Sequence, residues 1–152
     1  MIRAVLDANV VIAAMLNPAG RPAELVGRVG ESYQLVWSPP IVAECHRVVD
    51  YRKLRNRFRV ADAHRFIDDL SDAALLITSE LPRIDAVAAD PSDDVYLATA
   101  LVGAAPWLVT GDLRHLLPSF DPKPVKGCVS TARTRARSNP GTRHCWWSRR
   151  CS

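Results

Sequence analysis

The sequence predicts one α/β domain with a mainly parallel sheet. Short apolar runs of β type alternate with stretches of helical periodicity, which is typical of strands joined by crossover helices. The 152 residues, of which 48% are hydrophobic, can close one core and are too few for two ordinary domains. No internal repeat or interdomain linker interrupts the pattern.

Each predicted element is bounded by a local signal. The first strand stops abruptly at Asp7, and the helix after it stops at Asn17-Pro18. Ser38 and Ser92 are each placed to cap a helix. The predicted strands are residues 2–6, 33–37, about 74–77 and 107–110. The predicted helices are residues 10–16, 22–30, from 39 with a continuation or restart through 51–59, from about 61, and 93–102.

The composition changes near residue 127. Residues 128–152 carry six arginines and no acid, whereas residues 1–127 hold 14 basic and 16 acidic side chains. Three of the four cysteines also lie in the tail, without the spacing of a disulfide framework or a zinc site. We therefore expect a domain of residues 1–127. The tail, residues 128–152, is expected to be basic and disordered or aberrant, so no further edge strand of the sheet is predicted there.

Two features bear on the compartment. No stretch approaches the roughly 18 apolar residues of a membrane span. The apolar opening of the chain is interrupted by Asp7 too soon for a signal peptide. We expect a cytoplasmic protein without a membrane segment.

Two acids follow strands that are far apart in the chain. Asp7 ends the first strand and Asp112 comes two residues after the strand at 107–110. Because ligands gather at the carboxyl ends of parallel strands, we expect both acids at one edge of the sheet. A helix cap is the alternative for Asp7, although Asn9 is better placed as the cap, and a turn is the alternative for Asp112. Thr110 can bond a neighbouring carboxylate or a phosphate.

Three further acids lie at the borders of helices. Glu44 is at the edge of an apolar stripe and needs a partner there; an ion pair with an arginine is the chief alternative to a functional role. Asp93 and Asp94 open a helix, where acids are favoured in any case. Asp93 is preferred as a site residue because it shares a side with Leu97 and Leu101, whereas Asp94 belongs to a row that is expected to be less buried.

Four carboxylates in one cleft would repel one another unless cations neutralised them. Oxygen ligands suit Mg²⁺ or Mn²⁺. Such ions can activate water and stabilise the leaving oxygen of a phosphodiester. The sequence therefore predicts a metal site that hydrolyses phosphodiesters.

Four motifs in order carry a family resemblance. They are Val5-Leu6-Asp7-Ala8-Asn9-Val10, Val42-Ala43-Glu44, Asp90-Pro91-Ser92-Asp93-Asp94-Val95-Tyr96-Leu97-Ala98 and Leu108-Val109-Thr110-Gly111-Asp112. Over residues 2–127 the chain resembles the PIN-domain ribonucleases, in particular the toxins of toxin-antitoxin systems related to VapC.

The resemblance implies a fold, an activity and partners. The fold would have three α/β/α layers, and the activity would be Mg²⁺- or Mn²⁺-dependent cleavage of RNA. A cognate antitoxin and a homodimer are implied as partners. The implied catalytic and metal-binding residues are Asp7, Glu44, Asp93 and Asp112, with Asn9, Asp94 and Thr110 in support.

One dense basic run lies within the domain. Contact with an RNA backbone and a merely solvated helix face explain it about equally well. The run consists of Arg52, Lys53, Arg55, Arg57 and Arg59.

Two other functions compete with the ribonuclease. A phosphotransferase of the haloacid-dehalogenase kind also places an Asp after its first strand, but it needs Asp-x-Asp, and position 9 is Asn. A catalytically inactive PIN-like module that binds RNA or an antitoxin fits the same motifs and stays open.

Overall fold

The computed structural model of the chain describes residues 1–83, 91–111 and 126–129, with the backbone alone at 91–93 and 126–129. Within these residues one sheet has five strands, all parallel, in the order β3-β2-β1-β4-β5. This confirms the predicted parallel α/β class. The strands are β1 (Ile2–Leu6), β2 (Tyr33–Trp37), β3 (Leu75–Leu76), β4 (Trp107–Thr110) and β5 (Lys126–Val129).

The helices connect these strands as crossovers, as a parallel sheet requires. The basic run contributes only a short 3₁₀ turn at Arg52–Leu54, so the helix predicted through residues 51–59 is not present. The α-helices are α1 (Ala8–Leu16), α2 (Arg21–Val26), α3 (Pro39–Val49), α4 (Val60–Ala73) and α5 (Pro91–Val102).

Strand β1 lies in the middle of the sheet. It pairs with β2 on one side and with β4 on the other, so the chain switches direction across the sheet at this point. Val5 and Leu6 are fully buried, and the indole nitrogen of Trp37 donates to the Leu6 carbonyl at 3.0 Å. A crevice for ligands is expected where the strand order reverses, between the carboxyl ends of β1 and β4.

Three predicted helix caps are wrong in detail. Asp7 itself is the N-cap of α1, and Asn9 lies inside the helix. Ser38 occupies the N-cap position of α3, but its buried hydroxyl bonds Thr99 of α5 at 2.8 Å and makes no capping bond. Helix α5 begins at Pro91, so Ser92 lies within it. In each case a tertiary contact or a neighbouring proline determines where the helix begins or what its cap residue bonds. Rules for helix capping that use only the local sequence do not include these influences.

Both edges of the described sheet are formed by short strands. At one edge, β3 has two residues and both of its leucines are partly exposed. At the other edge, β5 pairs with the full length of β4, so the expectation of no further edge strand is wrong. The expected boundary at residue 127 falls inside this strand. The rest of the tail lies outside the described residues.

The C-terminal end of α5 is closed by two backbone hydrogen bonds. The Ala104 N–H donates to the Leu101 carbonyl at 3.2 Å, and the Ala105 N–H donates to the Ala100 carbonyl at 2.8 Å. This pair of bonds is a Schellman motif, whose left-handed position is usually glycine. Here Ala104 occupies it with φ of 48°, while Gly103 lies one residue earlier. A Cβ on Gly103 would lie 2.3 Å from Cγ1 of Val36, so close packing on β2 requires this glycine.

Candidate active site

Asp7 lies in the crevice between β1 and β4. Its side chain is only 4% exposed, and each of its oxygens accepts one hydrogen bond. Oδ1 accepts from the Asn9 backbone N–H at 3.0 Å, and Oδ2 accepts from the Thr110 hydroxyl at 2.6 Å. The carboxylate therefore caps α1 and is also held in place by the end of β4. Asp7 is thus the helix cap that was the alternative explanation, and it also lies at the carboxyl end of β1, where ligands are expected.

Tyr96 of α5 joins Asp7's helix to Glu44. Its hydroxyl donates to Oε2 of Glu44 at 2.7 Å and accepts from the Ala8 N–H at 3.3 Å. Both bonds use the single hydroxyl, one as donor and one as acceptor. The carboxyl end of β1 and the middle of α3 are thereby brought to one rim of the sheet, where Asp7 and Glu44 are both found.

Sequence reasoning missed Tyr96. The side chain is 2% exposed, and burial together with the charge of Asp7 and the hydrogen bond to Glu44 raises the pKa of Tyr96 far above its usual value. The hydroxyl therefore stays protonated and remains a donor to Glu44. A tyrosine among small and apolar helix residues, three positions after Asp93, is the signal that could have drawn attention to it.

Glu44 has two partners rather than one. Besides Tyr96, its Oε1 lies 3.6 Å from Nη2 of Arg47, the arginine ion pair that was the alternative explanation. Arg47 is 62% exposed in its side chain, and Glu44 is 29% exposed, so this pair is a weak surface interaction. The shorter bond from Tyr96 determines where the Glu44 carboxylate lies.

Cys45, the next residue along α3, is fully buried beneath this rim. Burial, with the nearby charges of Glu44 and Asp7, raises the pKa of Cys45 to about 12. The thiol is therefore neutral at physiological pH and packs as an apolar side chain. The negative charges of Glu44 and Asp7 both disfavour the thiolate form of Cys45.

The burial argument that preferred Asp93 to Asp94 holds only in part. On the row of Asp93, Leu97 is buried but Leu101 is 42% exposed, whereas Ala98, on the row of Asp94, is 3% exposed. Oδ1 of Asp94 is itself buried and has no hydrogen-bond partner in the described part of the chain. The side chain of Asp93 lies outside the described residues, so its preference now depends on the sequence register alone.

Asp112 also lies outside the described residues, as does the segment 84–90. Across the residues that are described, no three Asp, Glu, His or Cys side chains converge on a single point. Two of the four predicted acids, Asp7 and Glu44, are thus found at one rim, and the other two are untested. Thr110 and the Asn9 backbone N–H both contact Asp7.

The rim has the character of a cation site. Among the described residues, no lysine, arginine or histidine is ion-paired with the buried Asp7. On α5, two residues before Tyr96, Asp94 also has a buried oxygen without a described donor. Buried carboxylate oxygens are costly without compensation, and hard divalent cations prefer such ligands. The residues present therefore fit Mg²⁺ or Mn²⁺.

The basic run lies on the surface. All five of its side chains are exposed, and Arg59 forms a loose ion pair with Asp62 at 3.7 Å. Lys53 lies over the ring of Tyr51, 5.9 Å from its centroid. Both explanations of the run, RNA contact and a solvated face, are compatible with this exposure.

Solved structures of similar fold include three proteins. The chain matches VapBC-1 from nontypeable Haemophilus influenzae with 19% identity and a TM-score of 0.50, over 74% of this chain and 89% of that one. It matches VapBC2 from Rickettsia felis, bound to a DNA fragment from their promoter, with 13% identity and a TM-score of 0.50, over 74% and 90%. It matches PAE2754 from Pyrobaculum aerophilum with 18% identity and a TM-score of 0.54, over 83% and 90%.

At these identities the likeness concerns the fold. No curated protein sequence matches the chain. Within the described ranges, no helix has the length and apolar character needed to cross a membrane. A family model described as PIN domain matches residues 3–114, which include Asp7, Glu44, Asp93 and Asp112. The chain therefore belongs to the PIN domain family.

Proposed function

We propose that this protein is a metal-dependent endoribonuclease and the toxin of a toxin-antitoxin system. The single observation that carries the proposal is the pair of hydrogen bonds by which Tyr96 joins the Ala8 N–H, next to Asp7, to the carboxylate of Glu44. It holds two acids from distant parts of the sequence at the ligand edge of the sheet. Capping of α1 explains the burial of Asp7, but it does not explain why Tyr96 ties the same end of β1 to a second carboxylate.

The metal-binding residues in this proposal are Asp7, Glu44, Asp93 and Asp112, with Asp94 in support. When bound, Mg²⁺ or Mn²⁺ supplies a polarised water and compensates the charge of the phosphodiester. The chain's own groups prepare the rim for it. Thr110 and the Asn9 N–H fix both oxygens of Asp7, and Tyr96 fixes Glu44, so little reorganisation is needed on binding.

Helix α1 contributes in a second way. Asp7 is its N-cap, and the aligned peptide dipoles of the helix give its N-terminal end a partial positive charge beside Asp7. The side chain of Asp7 and the hydroxyl of Tyr96 take up the N–H groups of Asn9 and Ala8. These bonds fix the position of the first turn of α1 relative to Asp7 and Tyr96.

RNA is the proposed substrate, and the exposed basic run is its proposed contact. The five cations Arg52, Lys53, Arg55, Arg57 and Arg59 follow α3, the helix that carries Glu44. We propose that they neutralise the phosphates that flank the cleaved bond.

A cognate antitoxin and a second copy of this chain are the proposed protein partners, in the cytoplasm. Support comes from two neighbours of similar fold whose names describe VapBC complexes. At 13–19% identity this support concerns the fold alone, and the partner remains part of the proposal.

Cleavage of RNA by the full-length chain tests the activity. We expect cutting with Mg²⁺ or Mn²⁺, none with EDTA, and a loss of at least a hundredfold with Asp7→Asn. Asp72→Asn, the same change on an exposed residue of α4, is the matched control and should cut like the wild type. Activity that survives chelation, or that Asp7→Asn leaves intact, would contradict the metal mechanism.

The inactive binding module is the second candidate. It would bind RNA or antitoxin without cleaving any RNA under these conditions.

The role of the basic run is tested by replacing Arg52, Arg55 and Arg57 with glutamine. RNA affinity should fall, and its dependence on salt should flatten by up to about three ions. A control with exposed arginines elsewhere, Arg21, Arg65 and Arg83, should keep the slope.

A further inference from the structure

Two histidines join α3 to α4 away from the hydrogen bonds of the acidic rim. Nδ1 of His46 lies 2.6 Å from Nδ1 of His64. The ring planes differ by 16° and the centroids are 4.9 Å apart, which equals the Nδ1 separation plus two ring radii. The rings therefore meet head to head along the line between the two nitrogens, rather than face to face.

The outer nitrogen of each ring contacts an aspartate. Nε2 of His64 lies 2.8 Å from Oδ1 of Asp50, and Nε2 of His46 lies 3.1 Å from Oδ1 of Asp68. An ionised carboxylate only accepts hydrogen bonds, so each Nε2 must carry a proton. The 2.6 Å contact between the two Nδ1 atoms is then favourable only when a proton or a metal ion lies between them, because their lone pairs otherwise repel.

We propose that His46 and His64 form a binding site for a divalent transition ion of the Zn²⁺ type that clamps α3 to α4. Imidazole nitrogen suits such ions, and the second nitrogen of a metal-bound histidine usually donates to a carboxylate. Asp50 already bonds His64 in this way, and Asp68 lies 3.1 Å from Nε2 of His46. The proposal does not rest on the ribonuclease function, since the acidic rim offers oxygen ligands and this pair offers nitrogen.

The site has room to form. Tetrahedral zinc with bonds of about 2.0–2.1 Å needs the two nitrogens roughly 3.3 Å apart. The side chains of His46 and His64 are 28% and 31% exposed, so small rotations can open the pair at the surface. Water would complete the coordination, because within the described residues the pair contributes two nitrogen ligands and no third His, Cys, Asp or Glu joins them.

Zinc titration of the full-length chain tests the proposal. Mg²⁺ in excess covers the oxygen site, and a chromogenic chelator reports the stoichiometry and affinity. We expect the wild type to bind one more Zn²⁺ than His46→Gln or His64→Gln. Other thiols and histidines are common to all three chains, so their contribution cancels in the difference.

Variants of Asp50 and Asp68 test whether the zinc is bound by the histidine pair or at another place on the chain. Asp68→Asn and Asp50→Asn should each weaken this zinc binding by about tenfold or more. Asp69→Asn, an exposed neighbour on α4, should leave it unchanged. Equal zinc binding by the wild type and both histidine variants would overturn the proposal.

Imidazole ¹⁵N spectra of the wild type give a reading that does not depend on variants. Zinc should shift Nδ1 of both rings while each Nε2 keeps its proton. A pair that shows only a shared proton, with nitrogen shifts that Zn²⁺ does not alter, would also overturn the proposal.

Discussion

The two ends of α5 differ in how completely their polar groups are hydrogen-bonded. At the N-terminal end, Asp94 has a buried oxygen without a donor, and Tyr96 divides its hydroxyl between α1 and α3. At the C-terminal end, two backbone bonds close the helix and Gly103 packs against Val36. One end accepts unsatisfied polar groups near a candidate site, whereas the other satisfies its backbone. A buried polar group without a hydrogen-bond partner lowers stability. Its presence at the N-terminal end of α5 therefore indicates a functional role for that end.

Gly103→Ala gives the largest expected effect and tests the packed end. Its new Cβ would lie 2.3 Å from Cγ1 of Val36, so the helix or the strand must shift. Overpacking of this kind lowers the free energy of unfolding by about 1–3 kcal/mol. Urea denaturation measures the loss. Gly27→Ala, whose nearest contact would be at 3.3 Å, is the matched control and should cost much less.

A double variant sharpens this result. Val36→Ala removes the clashing methyl, so Gly103→Ala should cost less in its presence than in the wild type. If the two effects add without coupling, the close approach of α5 to β2 is not the reason for glycine at this position.

Tyr96→Phe tests the polar end. It removes the donor to Glu44 and the acceptor for the Ala8 N–H, while the ring still fills its space. We expect a loss of about 1–3 kcal/mol in unfolding free energy, because a buried hydrogen bond to a charged group is lost. Metal-dependent cleavage should fall by at least tenfold. Tyr51→Phe on the surface is the control, and equal effects of the two changes would remove Tyr96 from the site.

Asp94→Asn tests whether the unpartnered oxygen is kept for a cation. In EDTA the variant should be more stable than the wild type by about 1 kcal/mol, since a buried charge is removed. In Mg²⁺ the order should reverse or the gap should close, because the wild type gains more from the ion. Thermal unfolding in both buffers measures this. A variant that is less stable than the wild type in EDTA would show that the charge of Asp94 is already compensated without a cation.

Ala104→Gly is expected to have the smallest effect. Its φ of 48° is left-handed, which costs an alanine about 1 kcal/mol relative to glycine. Greater freedom of glycine in the unfolded chain offsets part of this, so we expect a gain of about 0.5 kcal/mol. Ala105→Gly, just outside the left-handed position, should lose stability. Equal signs for the two changes would contradict the Schellman geometry.

Much of the fold could be predicted from local patterns. Strands β1, β2 and β4 follow the predicted bounds, because each is a buried apolar run that ends at a turn signal. The start of α1 was missed because Asp7 satisfies two demands, a cap and a contact with β4. The strand β5 was missed because Lys126, Gly127 and Cys128 carry no β pattern, and pairing with β4 alone defines it.

The candidate site was harder to predict than the fold. Asp7 and Glu44 were singled out by their place at a strand end and beside an apolar stripe. Tyr96 escaped notice because its hydroxyl bonds residues 88 and 52 positions away in the chain. Periodicity describes neighbours within one helix and contains no information about such distant partners. The roles of Asp93 and Asp112 stay predictions.

The central position of β1 has a consequence for synthesis. Strand β1 is synthesised shortly before its neighbour β2, but its other side must wait for Trp107–Thr110. Until then Val5 and Leu6 present an open backbone edge and an incomplete core to the cell. The same delay keeps Asp7 without its bond from Thr110. Under the proposed function, an interrupted chain that ends before Thr110 therefore lacks part of the support for its metal-binding Asp7.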